Sequence, residues 1–478
     1  MKTLEADVAI VGAGTAGLNA RREVERAGKR PVLIESGPYG TTCARVGCMP
    51  SKLLIAAADI AHEVYGAHRF GIDVQDSWRV NGEAVLDRVR RERDRFAGFV
   101  VESTEALPDE QRLCGHARFV APTVLEVDDH TRVEAKAIVI ATGSSPVVPP
   151  PFDALDRHLL VNDDVFELRD LPDSLAVIGT GIIGLELGQA LSRLGVRVAF
   201  FNPREKLGLF TDPVVSRKAR AVLCKELDIR LKSEVLAASA DADGVTIQWR
   251  DAAGEEREEG FAKVLAAAGR RPNLAGLDFE HTSLQFDERG QPPWDPRTTQ
   301  CGDAPIFMAG DVSGHIPLLH EAADEGRIAG ANAAAFPEVT AHVRREPLAI
   351  AFTAPQMAIV GTPHAGLDRD DVEVGEVSFD DQGRARVMGQ NQGVMRIYAR
   401  RESCTLLGAE LFGPRVEHLA HLLAWSIQQD MSVLRALEMP FYHPVVEEAL
   451  RTGLRDLADK LKVTGNCRCE DLAEVPGS

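Results

Sequence analysis

The sequence has no hydrophobic run that approaches the roughly 18 residues needed to span a bilayer. Near its start, the charged residues Glu5 and Asp7 stand where a signal peptide would need an apolar segment. Positive charge is also scarce, because 54 Lys and Arg stand against 72 Asp and Glu and the formal charge is −18. We therefore expect a cytoplasmic protein whose main partner is neither a membrane nor a nucleic acid.

Cysteine is scarce as well, with eight in 478 residues, which excludes a disulfide-rich scaffold. Two of them, Cys43 and Cys48, nevertheless stand close together in "YGTTCARVGCMPSK" (39–52). In a reducing compartment a close pair is more often catalytic or metal-binding than structural. Zinc commonly takes four ligands from two short-spaced pairs, and no second Cys or His pair follows nearby. We expect no metal site, which leaves a redox pair or two core thiols.

The segment before this pair has the pattern of a dinucleotide-binding fold. In "ADVAIVGAGTAGLNARREVERAGKRPVLIES" a buried strand (7–11) leads through a glycine turn into a helix that ends near residue 27, and a second strand follows (31–35). The turn contains Gly12, Gly14 and Gly17, whose missing side chains let a pyrophosphate approach the helix N-terminus. Glu35 stands 23 residues after Gly12, where a carboxylate binds the ribose hydroxyls of an adenosine.

The same unit returns at "DSLAVIGTGIIGLELGQALSRLGVRVAFFNP", after a second apolar strand (175–178). Its glycines are Gly179, Gly181 and Gly184, so the chain is expected to bind two dinucleotides. Asn202 takes the place of the acid, which weakens the preference for NAD over NADP. The nearby Arg204 and Lys206 either attract a 2′-phosphate or are solvated loop charges.

Four further segments of the sequence contain motifs that, taken together, are typical of one protein family. They are "TTCARVGCMPSK" (41–52), "AAGRRPN" (267–273), "FMAGDV" (307–312) and "HPVVEEAL" (443–450). With these segments and the two dinucleotide units, residues 6–463 resemble the flavin-dependent pyridine nucleotide-disulfide oxidoreductases, and among them the dihydrolipoamide dehydrogenases. The implied fold class is α/β: two Rossmann-like dinucleotide-binding domains, for FAD and NAD, and a C-terminal α+β dimerisation domain.

The resemblance also implies how the chain is divided. Residues 1–150 and 274–345 form the FAD-binding domain, 151–273 the NAD(P)-binding domain and 346–463 the dimerisation domain of a homodimer. A cysteine-containing tail, 464–478, lies beyond the resembling region.

Helix geometry sets a condition on the cysteine pair. A disulfide needs Cα atoms within about 7 Å, and residues five apart in a regular helix are separated by about 7.5 Å along its axis. We therefore expect an irregular turn at Gly47, with Pro50 near a helix start. A helix N-terminus favours the thiolate of Cys48. The resemblance implies that Cys48 faces the flavin and that Cys43 exchanges with substrate.

Several cofactor contacts are implied by the resemblance. Lys52, one helical turn after Cys48, faces the flavin and pairs with Glu186, and Asp311 contacts the ribityl or phosphate region of FAD. His320 is either a flavin contact or an ordinary helix residue. The remaining cofactor-binding positions are Thr42, Gly115, His116, Gly143, Gly269 and Leu319.

Dithiol exchange also needs a base, and an imidazole has a pKa near the operating pH. His443 suits that role, and Glu448 is placed to hold its tautomer. The resemblance implies that His443 acts in the other subunit. The implied reaction is then the oxidation of dihydrolipoamide, with electrons passing through the cysteines and FAD to NAD+. The substrate is either free or attached to a lipoyl domain of a 2-oxo acid dehydrogenase or glycine cleavage complex.

The sequence departs from this family in three places. Arg45, between the cysteines, puts a cation where the family commonly has an uncharged residue, and it either acts on the thiols or substrate or turns outward. The stretch after Asn202 resembles soluble pyridine nucleotide transhydrogenase, although that enzyme lacks one of the two cysteines. Cys467 and Cys469 in the tail resemble the C-terminal cysteine pair of mercuric reductases. A related disulfide or mercuric reductase and a transhydrogenase therefore stay open as alternatives, whereas a scaffold or redox sensor is disfavoured.

Overall fold

The computed structural model describes residues 1–74, 78–288 and 290–463. A first sheet is built around β1, whose apolar run places Val8, Ala9 and Ile10 out of contact with solvent, as expected for a central parallel strand. The elements of this part are β1 (Lys2–Val11), α1 (Thr15–Arg26), β2 (Pro31–Glu35), α2 (Thr42–Val46), α3 (Cys48–Gly66), α4 (Gly82–Glu105), β3 (Arg112–Cys114), β4 (Ala117–Ala121), β5 (Val124–Val127), β6 (Thr131–Ile140) and β7 (Ser144–Pro146).

A second parallel sheet follows, with an antiparallel meander packed beside it. Its elements are β8 (Leu159–Leu160), α5 (Asn162–Val165), β9 (Ser174–Ile178), α6 (Ile182–Arg193), β10 (Arg197–Asn202), α7 (Pro213–Glu226), β11 (Asp228–Leu231), β12 (Glu234–Ala240), β13 (Val245–Arg250), β14 (Glu256–Phe261), β15 (Lys263–Ala266) and β16 (Arg270–Pro272). The parallel strands take the order β11-β10-β9-β15-β8, and the meander is β12-β13-β14. The second sheet thus repeats the strand–turn–helix–strand unit of the first.

The chain then returns to the first sheet. There β17 (Ile306–Met308) pairs with the C-terminal half of β6, and α8 (Leu319–Ala335) packs on α1. The first sheet therefore has the order β3-β2-β1-β6-β5-β4, with β17 beside β6. The antiparallel pair of β7 and β16 connects the first unit to the second.

The C-terminal unit is an antiparallel sheet covered by helices. Its elements are β18 (Leu348–Ala351), β19 (Gln356–Gly361), β20 (Val372–Ser378), α9 (Gly383–Val387), β21 (Val394–Arg400), β22 (Leu406–Gly413), α10 (Val416–Gln428), α11 (Val433–Leu437) and α12 (Glu448–Val463). The strand order is β18-β19-β22-β21-β20, with α10 packed on β19 and α12 on β20. This α+β arrangement agrees with the α+β fold expected from sequence.

A buried carboxylate joins the C-terminal unit to the second unit. Glu410 in β22 has no exposed surface, and it accepts hydrogen bonds from the N–H groups of Thr211 and Asp212 at 2.9 Å and of His364 at 3.1 Å. The Thr211 hydroxyl donates to the same carboxylate. Because a buried charge is costly unless it is fully hydrogen-bonded, these donors fix the loop before α7 against β22.

The domain limits proposed from the sequence (1–150, 151–273, 274–345 and 346–463) stay proposals. None of the helices in the described ranges combines the length and apolarity required to cross a membrane.

The contact between α1 and α8 depends on two glycines. A Cβ on Gly330 would lie 2.3 Å from the carbonyl oxygen of Ala20, and one on Gly326 would lie 2.2 Å from that of Ala16. We expect Gly330→Ala to lower the free energy of unfolding by about 2 kcal/mol, because the two helix backbones have to move apart. Denaturant titration measures this loss.

The matched control is Gly98→Ala in α4, where an added Cβ meets no atom within 4 Å. It should raise stability by about 0.5–1 kcal/mol, as alanine does in a helix. Equal stability changes in the two variants would contradict the packing argument.

Candidate active site

The first glycine turn leaves room for a ligand at the start of α1. Gly12 has φ +109°, and a Cβ there would lie 2.3 Å from the carbonyl oxygen of Ala141. A Cβ on Gly17 would lie 1.9 Å from the carbonyl oxygen of Gly12, so this glycine lets the helix pack on the turn. Gly14, by contrast, has no atom within 4 Å of its Cβ position and lines the central cleft. This turn, which we call the first cradle, fits a pyrophosphate at the helix N-terminus.

The second glycine turn has the same construction. Gly179 has φ +112°, and a Cβ on it would lie 2.4 Å from the carbonyl oxygen of Ala267. A Cβ on Gly184 would lie 2.4 Å from the carbonyl oxygen of Gly179, whereas Gly181 is open to the cleft. The second unit therefore offers a second cradle for a dinucleotide.

Both turns open on one cleft with a volume of about 1650 Å³. The sequence-predicted residues that line it are Gly12, Gly14, Glu35, Thr42, Cys43, Cys48, Lys52, Gly115, His116, Gly143, Gly179, Gly181, Glu186, Asn202, Gly269, Asp311 and Leu319. Gly17, Gly184, His320, His443 and Glu448 lie outside the lining of this cleft. Instead, the side chain of His320 is 46% exposed and lies 3.9 Å from a carboxylate oxygen of Glu321.

Two carboxylates are held in place beside the first turn. Glu35 accepts hydrogen bonds from the N–H groups of Ala13 at 2.7 Å and Gly37 at 2.8 Å. Because a carboxylate has about four acceptor sites, Glu35 keeps capacity for ribose hydroxyls. The hydroxyl of Ser144 donates to Asp311 at 2.7 Å. The first cradle therefore has fixed acceptors at its walls.

The cysteine pair lies at a break between two helices. Cys43 belongs to α2 and Cys48 is the first residue of α3, with Gly47 between them at φ −125° and ψ −118°. A Cβ on Gly47 would lie 3.0 Å from the carbonyl oxygen of Thr42. The expected irregular turn and the position of Pro50 near the start of the helix are confirmed.

Both cysteines are thiols in this structure, and they share a hydrogen bond. That bond and burial raise the pKa of Cys43 well above its usual range. The hydrogen bond from Cys43, with the charge of Lys52, outweighs burial and lowers the pKa of Cys48 to about 6. The two cysteines therefore titrate as one coupled pair, in which the thiolate is favoured on Cys48.

Lys52 joins three parts of the molecule. Its ammonium group is 2.7 Å from a carboxylate oxygen of Glu186 in α6, and this carboxylate is only 5% exposed. The other oxygen of Glu186 accepts the N–H of Phe352 at 2.7 Å, just after β18. The ammonium also lies 4.7 Å from the centre of the Phe352 ring, within range of a cation–π interaction. The charge beside Cys48 is thereby fixed from both neighbouring units.

Two residues that were not singled out as site residues hold the redox turn: Asn162, and Arg270 from the motif segment 267–273. Asn162 donates to the carbonyl oxygen of Val46 at 3.0 Å, and its own amide oxygen accepts from Arg270 at 3.1 Å. Arg270 also donates to the hydroxyl of Ser144 at 2.8 Å, which in turn bonds Asp311. One hydrogen-bonded chain thus runs from the redox turn to the first cradle.

Arg45 lines the same cleft as the two cysteines, but its guanidinium is bound to the backbone of a neighbouring loop. Its guanidinium donates to the carbonyl oxygen of Pro38 at 3.2 Å, and its charge lowers the pKa of Asp163, although burial raises that pKa more strongly. Lys52 supplies the positive charge that acts on the pKa values of both cysteines. Among the alternatives for Arg45, an effect on the thiols is therefore disfavoured, whereas contact with an anionic substrate in the cleft stays a prediction.

His443 and Glu448 form a pair at the surface. The Nδ1 atom of His443 lies 2.9 Å from Glu448, and the imidazole is 80% exposed. Burial acts to raise the pKa of Glu448, but hydrogen bonds from His443 and from the Val445 N–H outweigh it, so this pKa is lowered. The imidazole is thus oriented while its Nε2 atom stays accessible. Cys467 and Cys469 lie outside the described residues.

Two dinucleotide cradles that open on one cleft, with a dithiol between them, define an oxidoreductase that moves electrons between two nucleotides and a sulfur centre. Residues 6–326 match the family model of pyridine nucleotide-disulphide oxidoreductases, and residues 348–453 match the dimerisation domain of that family. The chain belongs to this family. FAD and NAD are its cofactors, and the dimerisation domain supports a homodimer.

Individual relatives resemble the chain along nearly its whole length. Dihydrolipoyl dehydrogenase 3 of Pseudomonas aeruginosa is 31% identical over 94% of this chain and 97% of the relative. Dihydrolipoyl dehydrogenase of Bacillus subtilis is 28% identical over 94% and 97%.

Two solved structures share the fold. LpdA from Mycobacterium tuberculosis, at 22% identity, matches with a TM-score of 0.80 over 95% of this chain and 99% of its own. The HOCl-induced flavoprotein disulfide reductase RclA from Escherichia coli, also at 22% identity, matches with a TM-score of 0.79 over the same shares.

The shared proton of the cysteines can be measured by alkylation of the reduced protein. We expect the rate at which iodoacetamide modifies Cys48, read by mass spectrometry, to rise with pH through a midpoint of about 6. Cys43→Ala should move this midpoint upwards because the hydrogen bond to the thiolate is lost. Lys52→Met should also move it upwards.

Lys29→Met is the control, since it removes the same charge from an exposed position outside the cleft. An unchanged midpoint in both cleft variants would refute the assignment of the thiolate.

Proposed function

We propose that this protein is a dihydrolipoyl dehydrogenase, which oxidises dihydrolipoamide to lipoamide and passes the electrons to NAD+. The observation that carries this proposal is the Cys43–Cys48 pair, placed between two nucleotide cradles with its negative charge on Cys48 beside Lys52. The names of the full-length relatives support the choice of substrate.

The low pKa of Cys48 assigns separate roles to the two sulfur atoms. When the pair is oxidised, a substrate thiolate attacks one sulfur of the disulfide and the other sulfur is released. The sulfur that is released more readily is the one whose thiol has the lower pKa. Cys43 is therefore attacked, a substrate–Cys43 disulfide forms, and Cys48 leaves as a thiolate. The second substrate thiol then attacks this mixed disulfide, so the substrate leaves as a disulfide and both cysteines are reduced.

Lys52 is held beside the cysteines by its ion pair with Glu186 and favours the thiolate of Cys48 when that sulfur leaves. The residues around Gly14 and Asp311 hold FAD, and those around Gly181 hold NAD. When bound, FAD supplies two-electron chemistry that connects the dithiol to the nicotinamide nucleotide.

We propose that His443 is the base and that it acts in the cleft of the partner chain. It lies outside the lining of its own cleft, and its imidazole is exposed on the unit that matches the family's dimerisation domain. With Nδ1–H donated to Glu448, Nε2 is free to accept the proton of a substrate thiol.

The physiological setting follows from the substrate. We propose a lipoyl domain of a 2-oxo acid dehydrogenase or glycine cleavage complex as the partner, and the cytoplasm as the location.

Steady-state turnover of the purified, FAD-loaded protein tests the substrate. Dihydrolipoamide is compared with glutathione disulfide, Hg(II) and thio-NAD, each with both nicotinamide nucleotides. We expect dihydrolipoamide to give the highest kcat/KM. Absence of lipoamide turnover with either nucleotide would overturn the proposal, and turnover of Hg(II) or thio-NAD alone would identify the reductase or the transhydrogenase.

Mixed dimers test the place of His443. Alone, each variant lacks part of the dithiol machinery. We expect Cys43→Ser chains to be inactive and His443→Gln chains to be slower by about 10²–10⁴-fold. A dimer of one chain of each kind has one complete site only if His443 serves the partner's cysteines. Refolding equal amounts together should then restore about a quarter of normal activity, because half of the dimers are mixed and each has one working site.

No recovery in a preparation shown by mass spectrometry to contain mixed dimers would contradict the proposed placement. His418→Gln, which changes another exposed histidine of the same unit, is the control for surface effects.

A further inference from the structure

The loop that follows β10 is fixed against the second glycine turn. The side chain of Asn202 donates to the carbonyl oxygen of Lys206 at 3.0 Å and to the hydroxyl of Thr180, and its amide oxygen accepts the N–H of Arg204 at 2.9 Å. Thr180 donates its hydroxyl to the carbonyl oxygen of Lys206 at 2.6 Å, and its own carbonyl accepts the N–H of Gly208 at 2.8 Å. The backbone of residues 203–206 is therefore held beside the cradle.

The position that corresponds to Asn202 in the first cradle carries a negative charge. There Glu35 ends β2, accepts the N–H of Ala13 at 2.7 Å and lines the cleft, so a carboxylate is placed where a ribose would bind. Asn202 ends β10 at the equivalent place and has no charge. A carboxylate at this position repels a 2′-phosphate, and its absence removes that barrier.

The side chains on the fixed loop make this corner of the cleft positive. Arg204 and Lys206 are exposed and line the cleft, and within the described part of the chain neither is paired with a carboxylate. Glu205, between them, is bound by Lys232 at 2.6 Å and by Arg220 at 2.5 Å. The remaining acid of this corner, Glu234, lies 3.3 Å from Arg250. Two cations therefore stay available in a protein whose formal charge is −18.

We propose that Arg204 and Lys206 form a 2′-phosphate site, so that the second cradle takes 2′-phosphorylated pyridine nucleotides, NADP(H), as well as NAD(H). This deepens the proposed function and rests on the second cradle being its nicotinamide nucleotide site. Successive side chains of this loop point in alternate directions. Those of residues 204 and 206 line the cleft, whereas that of residue 205 is paired with Arg220 of α7 and with Lys232 after β11. Guanidinium and ammonium groups suit a phosphate because they donate charge-assisted hydrogen bonds.

Equilibrium binding of adenosine fragments tests this site without any turnover. Calorimetric titration of the FAD-loaded protein at low ionic strength compares 2′,5′-ADP, which carries the 2′-phosphate, with 5′-AMP, which lacks it. We expect 2′,5′-ADP to bind about tenfold more tightly or better, since a charge-assisted hydrogen bond is worth about that factor. Arg204→Ser and Lys206→Ser should each remove about tenfold of the 2′,5′-ADP affinity and leave 5′-AMP binding within about twofold.

Lys225→Ser is the matched control, because it removes one exposed positive charge from the same unit outside the cleft. Equal affinity of the two probes for the unaltered protein, or unchanged 2′,5′-ADP affinity in both cleft variants, would overturn the 2′-phosphate site alone. Failure of both probes to bind would overturn the nucleotide site itself and the proposed function with it.

Discussion

The ion pair between Lys52 and Glu186 is the contact on which the arrangement of the site depends. Glu186 is almost fully buried, so its charge is stable only while both of its oxygens are satisfied. Lys52 from the first unit satisfies one oxygen and the N–H of Phe352 from the C-terminal unit satisfies the other. Loss of Lys52 or of the Phe352 N–H would leave one oxygen of this buried carboxylate without a partner. The three units therefore meet at this ion pair, which lines the same cleft as the cysteines.

The same pair also sets the charge state of the sulfur centre. Lys52 favours the thiolate of Cys48, whereas the charge of Glu186 opposes it. Because Lys52 is fixed close to the sulfur by Glu186, the carboxylate both orients the cation and moderates its effect. The hydrogen bond from Cys43 is the largest contribution to the low pKa, so the two cysteines tune one another and the lysine adds to that effect.

Much of the fold was predictable because it depends on local patterns. The ends of β2 and β10 and the break at Gly47 follow from apolar runs, glycines and helix geometry. The strand predicted over 7–11 extends back to Lys2, because residues 2–6 pair with 131–135 of β6. Those residues are more exposed than the buried run, so apolarity alone marks only the part of the strand that is covered on both faces.

Contacts between distant residues were not predictable in the same way. Phe352 binds Glu186 through its backbone N–H, which every residue but proline carries, and Asn162 reaches Val46 across 116 residues. His320 lies outside the cleft lining because of helix register: Leu319 and Ala322 line the cleft, and the residue next to Leu319 is turned to the side, while its role as a flavin contact stays a prediction. A motif match cannot detect such a rotation.

The buried Glu410 has a consequence for how nucleotide reaches and leaves the second cradle. Four donors from the loop before α7 and from the loop after β19 converge on this one carboxylate. A swing of the second unit as a rigid body would strip the three donors of Thr211 and Asp212 from a charge that has no access to water, and would leave only the N–H of His364, which belongs to the C-terminal unit itself. A route for nucleotide that requires these two units to separate is therefore disfavoured, and the open cleft beside the second glycine turn is the access that the described residues offer.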